Sequence, residues 1–405
     1  MASPPSNGAA PPLPLPPGPA DPPRMRAPGA PRALLRVVTF NLRGVMDRWR
    51  ERAPLARQLL AGLEADVYCF QEVLTGEAGQ DRELLGEGYR IFECRAAMRC
   101  LSQSGAAGAS AAAAARGLLS LACCVPAFAA APAAFEAWRE AWGAGDCVTR
   151  ALRDAALFPF FGNSIASRLP PAAPAAAAGA SPGDGGASPG DAEVLVLGSF
   201  RAAQRVRLLV GPRGGSANGD SASGGTNGGG GETEGLGAGE PAAVWVVNTH
   251  LDHACPEARA QQAQASWEGA IADWMAPLQA GGGAACILIC GDLNAPPEEP
   301  AHGVLRRAGY ASAYELANGQ EAPPTWPSGL VAPLMDTGEP HCADYVYFWT
   351  AATQSEARAG QSKAGAARSE ARARVVAASI AGDVPDEADP TLYPSDHLAV
   401  VVDLI

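Results

Sequence analysis

Short, dense apolar runs recur along the chain, and most of them close on a polar residue. The densest is Cys286-Ile287-Leu288-Ile289-Cys290, which reads as a strand buried on both faces and leads into Gly291-Asp292-Leu293-Asn294. Further strands are predicted over 34–40, 67–70, 89–94, 160–168, 194–197, 205–210, 244–250, 343–348 and 398–404. After the first of these, Leu55, Leu59, Leu60 and Leu63 recur at three- and four-residue spacing and predict a helix over 51–63. Helices are likewise expected over about 256–278 and 300–309.

The text between these runs is different in kind. Residues 1–33 hold about a dozen prolines and one acid, Asp21, and cannot pack a core. A disordered tail is expected there, with an organelle transit peptide as the alternative because of Arg24, Arg26 and Arg32. Alanine dominates 101–145, and the apolar piece at 118–128 is broken by Pro126 and falls short of the roughly 20 residues that span a bilayer. An inserted helical or disordered excursion near 96–150, without stable membrane insertion, is the reading. Residues 170–192, 211–242 and 354–374 are rich in small residues and read as further inserted loops. With these set aside, 34–405 is one domain, although the length alone would suggest two or three.

Charge and cysteine content narrow the setting. The net charge is -12 and Lys363 is the only lysine, so the cations are nearly all arginines. An acidic chain argues against long, salt-dependent wrapping of nucleic acid. It leaves room for one phosphate in a local arginine pocket. Ten cysteines are scattered without a CxxC pair, three of them (Cys69, Cys286, Cys290) inside apolar runs. Free buried thiols in a reducing compartment are expected. With no secretory signal, the location expected is intracellular, cytoplasmic or organellar.

The polar residues at the strand boundaries carry the chemistry: Asn41, Glu72, His250, Asp292, Asn294, Asp344, Asp396 and His397. Each has a bland explanation. Glu72 alone is a surface carboxylate, and Gly-Asp-x-Asn alone is a strand followed by an Asx-type turn. If the backbone stays extended past Gly291, Asp292 and Asn294 point to one side. Burying Asp292 there is unfavourable unless a cation or hydrogen-bond donors offset it. Eight such residues, among them two of the five histidines, point to one shared site assembled by the fold.

The ordered set Thr39-Phe40-Asn41, Gln71-Glu72, Gly162-Asn163-Ser164, Asn248-Thr249-His250-Leu251, Gly291-Asp292-Leu293-Asn294, Ala343-Asp344-Tyr345 and Ser395-Asp396-His397 resembles the endonuclease/exonuclease/phosphatase (DNase I-like) superfamily. Thr249-His250-Leu251-Asp252-His253, followed by Glu257-Ala258-Arg259 and Gln262, is similar to a subgroup of small metal-dependent hydrolases. The resemblance implies an α/β (α+β) chain folded as a four-layer α/β/β/α sandwich, with two central, mostly antiparallel sheets and the site at one end of them.

The resemblance also implies roles. Glu72 would be the main carboxylate ligand of Mg2+, or of Mn2+, with Asn41 and Asp396 beside it. Asp292 would orient or deprotonate the attacking water, and Asn294 would hold that aspartate or a phosphate oxygen. His397 would contact the scissile phosphate, its tautomer fixed by Asp344. His250 would stabilise developing charge or protonate the leaving oxygen. Asn163, Arg168 and Arg43 are candidate substrate contacts, and Glu93 is a candidate to orient His250. Ser199-Phe200-Arg201 departs from the acid-plus-arginine pattern usual at that place. The function implied is a metal-dependent phosphoesterase, acting as a monomer on a phosphodiester or phosphomonoester such as a nucleic acid or a phospholipid head group. Sphingomyelinase-like activity, inositol-phosphate phosphatase activity and a catalytically silent scaffold of the same fold are the alternatives.

Overall fold

The computed structural model describes residues 35–95, 161–172, 192–211, 242–261, 286–332, 338–350 and 373–405, apart from 46, 77–78, 199–200 and 254–255. The tail at 1–33 and most of the four insertions lie outside the described residues, as does the expected helix beyond 261. Among the described residues, twelve strands form two six-stranded sheets. The first sheet contains β1 (Leu35–Asn41), β2 (Val67–Leu74), β3 (Arg90–Cys94), β4 (Phe161–Ser167), β11 (Val375–Ala381) and β12 (Ala399–Leu404), in the order β11-β12-β1-β2-β4-β3. The second contains β5 (Glu193–Gly198), β6 (Arg201–Val210), β7 (Ala242–His250), β8 (Ile287–Asp292), β9 (Ala311–Ser312) and β10 (Asp344–Trp349), in the order β5-β6-β7-β8-β10-β9.

Each sheet has one parallel pair, β1 with β2 and β7 with β8, and its other pairings are antiparallel. A parallel pair needs a crossover, and α1 (Trp49–Leu63) supplies the first. Residues 256–261 begin a helical segment within the second. Both parallel pairs finish at the same end of the molecule, so Asn41, Glu72, His250 and Asp292 are delivered together.

The strands alternate as a two-sided core demands. Val38, Phe40, Tyr68, Phe70 and Val401 face outward from the first sheet and pack on Trp49, Ala53, Ala56, Leu60 and Leu63 of α1. Val37, Val67, Cys69, Ile165, Val400 and Val402 face inward and meet Val206, Leu208, Val246, Leu288, Cys290, Val346 and Phe348. Ile287, Ile289, Tyr345, Tyr347 and Trp349 face outward from the second sheet and pack on Ala301 and Leu305 of α3 (Pro300–Arg307). The layers are therefore helix, sheet, sheet, helix, as expected. Leu55 and Leu59 of α1 are only half-buried, and the small Ala53 and Ala56 let the helix sit close to the sheet.

Some expectations are corrected. Residues 170–172 are not free loop: Pro171 bridges Leu208, and Ala172 N–H donates to Arg207 O at 2.8 Å. Four short elements carry too little pattern to be anticipated, namely α2 (Gln80–Leu85), β9, α4 (Ala313–Asn318) and the alanine-rich β11. No helix among the described residues is long and apolar enough to cross a membrane. Cys69, Cys286, Cys290 and Cys342 are free thiols, and these four and Cys94 are buried.

Two predictions follow from packing and burial. Gly291 pairs with Thr249 between β7 and β8 at φ +152°, and a Cβ there would lie 2.0 Å from the Thr249 carbonyl oxygen. Gly291→Ala is expected to destabilise by about 3 kcal/mol, read as a lower urea midpoint. An unchanged midpoint would show that the strands can separate at no cost. Asp81 of α2 is fully buried, and burial pushes its carboxyl up to about 6. The folded state thus holds that proton more tightly than the unfolded chain, where a carboxyl titrates near 3.9. The stabilisation is complete below the unfolded value and is lost as pH rises through about 6, amounting to about 3 kcal/mol. Asp81→Asn should therefore raise the midpoint at pH 8 and leave it unchanged at pH 4; equal wild-type and variant midpoints at pH 8 would contradict this.

Candidate active site

The site begins with an irregularity in β2. Phe70 pairs with Ser164 and Val73 with Gly162, so Gln71 and Glu72 stand opposite Asn163 alone. This bulge puts Glu72 at φ 50°, a left-handed conformation that a side-chain-bearing residue adopts only under constraint. Gly162 matches it on β4, where a Cβ would lie 1.9 Å from the Cys94 carbonyl oxygen. Carboxamides secure the bulge from the other sheet. Asn248 Nδ2 donates to Phe70 O and to Ser164 O, both at 2.9 Å, and Gln71 Nε2 donates to Asn248 Oδ1 at 2.7 Å and to Thr39 Oγ1 at 3.0 Å.

Above this layer the ionisable groups converge. Asn41 Nδ2 donates to Asp292 Oδ2 at 2.9 Å and reaches Glu72 Oε1 at 3.4 Å. His397 Nδ1 lies 2.9 Å from Asp344 Oδ2, and its Nε2 lies 3.8 Å from Asp292 Oδ2. His250 Nε2 lies 3.5 Å from Asp292 Oδ2 and 4.0 Å from Glu72 Oε1. Thr325 Oγ1 donates to Asp344 Oδ2 at 2.7 Å and accepts from the backbone N–H of Ala343 and of Asp344. Arg43 holds Asp47 at 3.1 Å and approaches Asp396 Oδ2 at 3.6 Å.

Burial and neighbouring charge set the protonation states. Burial pushes the Glu72 carboxyl up, with Arg43 opposing and Asp396 adding to the rise. Burial likewise raises Asp292 to about 6, against the pull of His397. The two histidines go opposite ways. Burial, Arg201 and His397 hold His250 well below the usual imidazole value. Burial would also lower His397, but Asp344, Asp292 and Asp396 outweigh it and hold the imidazolium up at about 10.

Two groupings could hold a cation. The ligand atoms of Asp292, Asp344 and His397 lie within 4.8 Å of one another. There, however, His397 donates from Nδ1 to Asp344 and is cationic, so its nitrogens are not free lone pairs. Asn41, Glu72 and Asp396 suit a hard cation better. Asp396 is fully buried, and its Oδ2 has no hydrogen-bond partner among the described residues.

The structure brings Asn41, Glu72, His250, Asp292, Asp344, Asp396 and His397 together, with Arg43 at their edge. Arg168 is not among them. It follows Ser167, which pairs with Val67 at the beginning of β2, whereas Glu72 lies near that strand's end; its guanidinium packs over Tyr89 at 4.6 Å. Glu93 does not reach His250 either: it holds Arg82 at 3.0 Å and accepts from Gly76 N–H. Asn294 does not continue an extended strand. It sits at φ 48°, donates its backbone N–H to Asp292 Oδ1 at 2.8 Å and its Nδ2 to Leu251 O. The Asx turn and the site are the same feature. Asn163 spends its Nδ2 on Ala202 O at 3.2 Å, tying the sheets together.

A model of the Endonuclease/Exonuclease/phosphatase family matches residues 38–397. The chain belongs to this family. Similar solved structures include truncated TDP2 from Caenorhabditis elegans, 13% identical, covering 92% of this chain and 97% of that one, with a TM-score of 0.47. An endonuclease/exonuclease/phosphatase from Bacteroides vulgatus is 15% identical, covering 92% and 98%, with a TM-score of 0.47. The human Nocturnin catalytic domain with bound sulfate is 15% identical, covering 92% and 94%, with a TM-score of 0.44. No curated protein matches. Membership of the endonuclease/exonuclease/phosphatase family supports a hydrolase acting on phosphoester bonds.

Sequence reasoning assigned no role to Thr325 and left Arg201 in doubt. Arg201 NH1 lies 2.8 Å from Nδ1 of His250 and 3.0 Å from Nε2, and its NH2 lies 3.2 Å from His253 Nδ1. A guanidinium only donates and a neutral imidazole accepts at one nitrogen only, so at most one of the two contacts is a hydrogen bond; the charge of Arg201 and burial both favour the neutral ring. Thr325 sits in Pro323-Pro324-Thr325-Trp326-Pro327, turn text without an apolar run to flag it. The carboxamide layer yields a prediction for this family member. Asn248→Ala strips a donor from two buried carbonyls and an acceptor from Gln71, and is expected to destabilise by about 3 kcal/mol. A urea midpoint within error of wild type would refute the bridging role.

Proposed function

We propose that this chain is a divalent-cation-dependent phosphodiesterase that hydrolyses its substrate by in-line attack of water. The observation that carries this reading is the facing pair at the pocket floor. Asp292, a carboxylate raised towards neutrality, stands 3.8 Å from the imidazolium of His397. A base and a cationic donor this close together can meet one phosphate from the same side, the base orienting the attacking water and the imidazolium offsetting charge on a phosphate oxygen.

The roles follow from the partners. Asp292, held by the Asn41 amide and by the Asn294 backbone N–H, orients the attacking water and takes its proton. His397, oriented by Asp344, donates from Nε2 to a non-bridging phosphate oxygen. Asp344 is itself held by Thr325, which keeps the imidazole in one orientation. His250 is neutral and kept in place by Arg201, and Arg201 offers further positive charge to the phosphate or to the leaving group. Glu72, with Asn41 and Asp396, would hold Mg2+ or Mn2+; the buried Asp396 Oδ2, which lacks a hydrogen bond among the described residues and has Arg43 only at 3.6 Å, is the feature that fits a cation. When bound there, the cation supplies Lewis-acid polarisation of the phosphoryl oxygen. Arg43 is engaged by Asp47 and Asp396, which leaves its charge as what it offers a substrate.

A nucleic-acid end or a small diester is the substrate class proposed, since the site presents several donors but the chain has no long basic tract. TDP2 from D. rerio has been solved with a single-strand DNA product, and a DNA strand end belongs among the substrates to be tried. The test is hydrolysis of a chromogenic phosphodiester with Mg2+, alongside DNA, RNA, sphingomyelin and inositol phosphates. EDTA is expected to abolish turnover and Mg2+ to restore it. Asp292→Asn should lower kcat by roughly a hundred- to ten-thousandfold. Turnover that survives EDTA, or none on any ester of the panel, would sink the proposal.

A further inference from the structure

We infer that His302 is a positioning residue for the hydrolytic reaction, acting on Asp292 through the Ala295 carbonyl; this rests on the role of Asp292 proposed above. His302 is fully buried in the first turn of α3, on the outer face of the second sheet and behind the pocket rather than in it. Its Nε2 lies 3.0 Å from Ala295 O and its Nδ1 lies 2.6 Å from the Tyr347 hydroxyl. A carbonyl oxygen only accepts, so Nε2 carries the proton. Nδ1 then accepts from Tyr347, and the neutral ring has both nitrogens used. Burial lowers the imidazole's pKa, which favours the same neutral form.

What the ring holds is the far end of the turn that carries Asp292. Ala295 is fully buried, follows the left-handed Asn294 and stands three residues beyond Asp292. Its carbonyl also lies 3.1 Å from the Tyr345 hydroxyl, whose single proton has the Cys342 carbonyl closer at 2.9 Å, so the His302 N–H is the main donor to that oxygen. Both tyrosines belong to β10, and β10 starts at Asp344, the partner of His397. The ring centroids of His302 and Tyr345 are 4.6 Å apart, and those of Tyr345 and Tyr347 are 5.9 Å apart. One aromatic cluster therefore braces the turn that presents Asp292 and the strand that presents Asp344. Between them it sets the 3.8 Å spacing from His397 to Asp292. A histidine that only filled space could be exchanged for another ring of similar size. One that pins a carbonyl could not.

The test compares two variants of the full chain. His302→Phe keeps a ring and removes the Nε2 proton, and His302→Gln returns an amide donor near the same place. On a chromogenic phosphodiester with Mg2+, His302→Phe is expected to lower kcat roughly ten- to hundredfold with KM nearly unchanged, and His302→Gln to recover most of the loss. A lower melting temperature with kcat intact would make His302 merely structural and overturn the inference. The imidazole 15N spectrum adds a readout that needs no turnover. Wild type should show His302 protonated on Nε2 alone, and the His397 resonances should move in His302→Phe. A proton on Nδ1 of His302, or His397 resonances that stay put, would also overturn it. If those shifts appear while wild type hydrolyses no ester, the positioning stands and the functional reading falls.

Discussion

The structure depends on how buried backbone groups are satisfied where two sheets meet face to face. Such an interface is dry, and a β-bulge inside it disturbs the ladder that would otherwise satisfy its carbonyls. Here the bulge lies in β2, and Asn248, reaching across from β7, takes the two carbonyls beside it. An unsatisfied buried carbonyl would cost about 1–3 kcal/mol, and there would be two of them. The bulge in turn is what aims Glu72 into the pocket. The placement of Glu72 and the locking of the two sheets are therefore one arrangement. Gln204, which donates to Phe92 O, and Asn163, which donates to Ala202 O, extend the same device towards the edge of the sandwich.

Much of this was legible in the sequence because it is local. The apolar run 286–290 is a strand whatever surrounds it, and its burial on both faces follows from its lack of any polar alternate. The convergence of Asn41, Glu72, His250, Asp292, Asp344, Asp396 and His397 was legible for a different reason: each stands at or near the edge of an apolar run, and the resemblance to the family orders them. What escaped depends on contacts between distant parts of the chain. Arg168 and Asn163 both lie in or beside β4, yet the antiparallel register puts Arg168 at the far end, which spacing alone does not reveal. Asn294 would share a face with Asp292 only in an extended backbone, and its left-handed conformation gives the Asx turn instead. Thr325 acquires its role only when its segment meets Asp344, 19 residues on.

One low-complexity stretch joins two strand ends whose register is described. Val210 and Ala242 pair directly, at the end of the second sheet away from His250. The chain that joins them starts and finishes at neighbouring positions. Closing a longer loop between fixed neighbours becomes more costly only logarithmically with its length. An insertion at that place leaves the pairing of β6 with β7, and with it the delivery of Asn248 and His250, essentially as it would be with a short hairpin.

The two histidines show how one pocket supports opposite protonation states. Both are buried, and burial alone disfavours the charged ring in each. Their difference therefore comes from partners. His250 faces the guanidinium of Arg201, which can only donate and adds positive charge. His397 faces Asp344 at hydrogen-bond distance, with Asp292 and Asp396 near enough to contribute. Three carboxylates around one ring more than reverse the desolvation penalty. The result is a neutral imidazole and an imidazolium that both approach Oδ2 of Asp292, at 3.5 and 3.8 Å. A phosphate entering the pocket would meet one donor with a full positive charge and one ring without it.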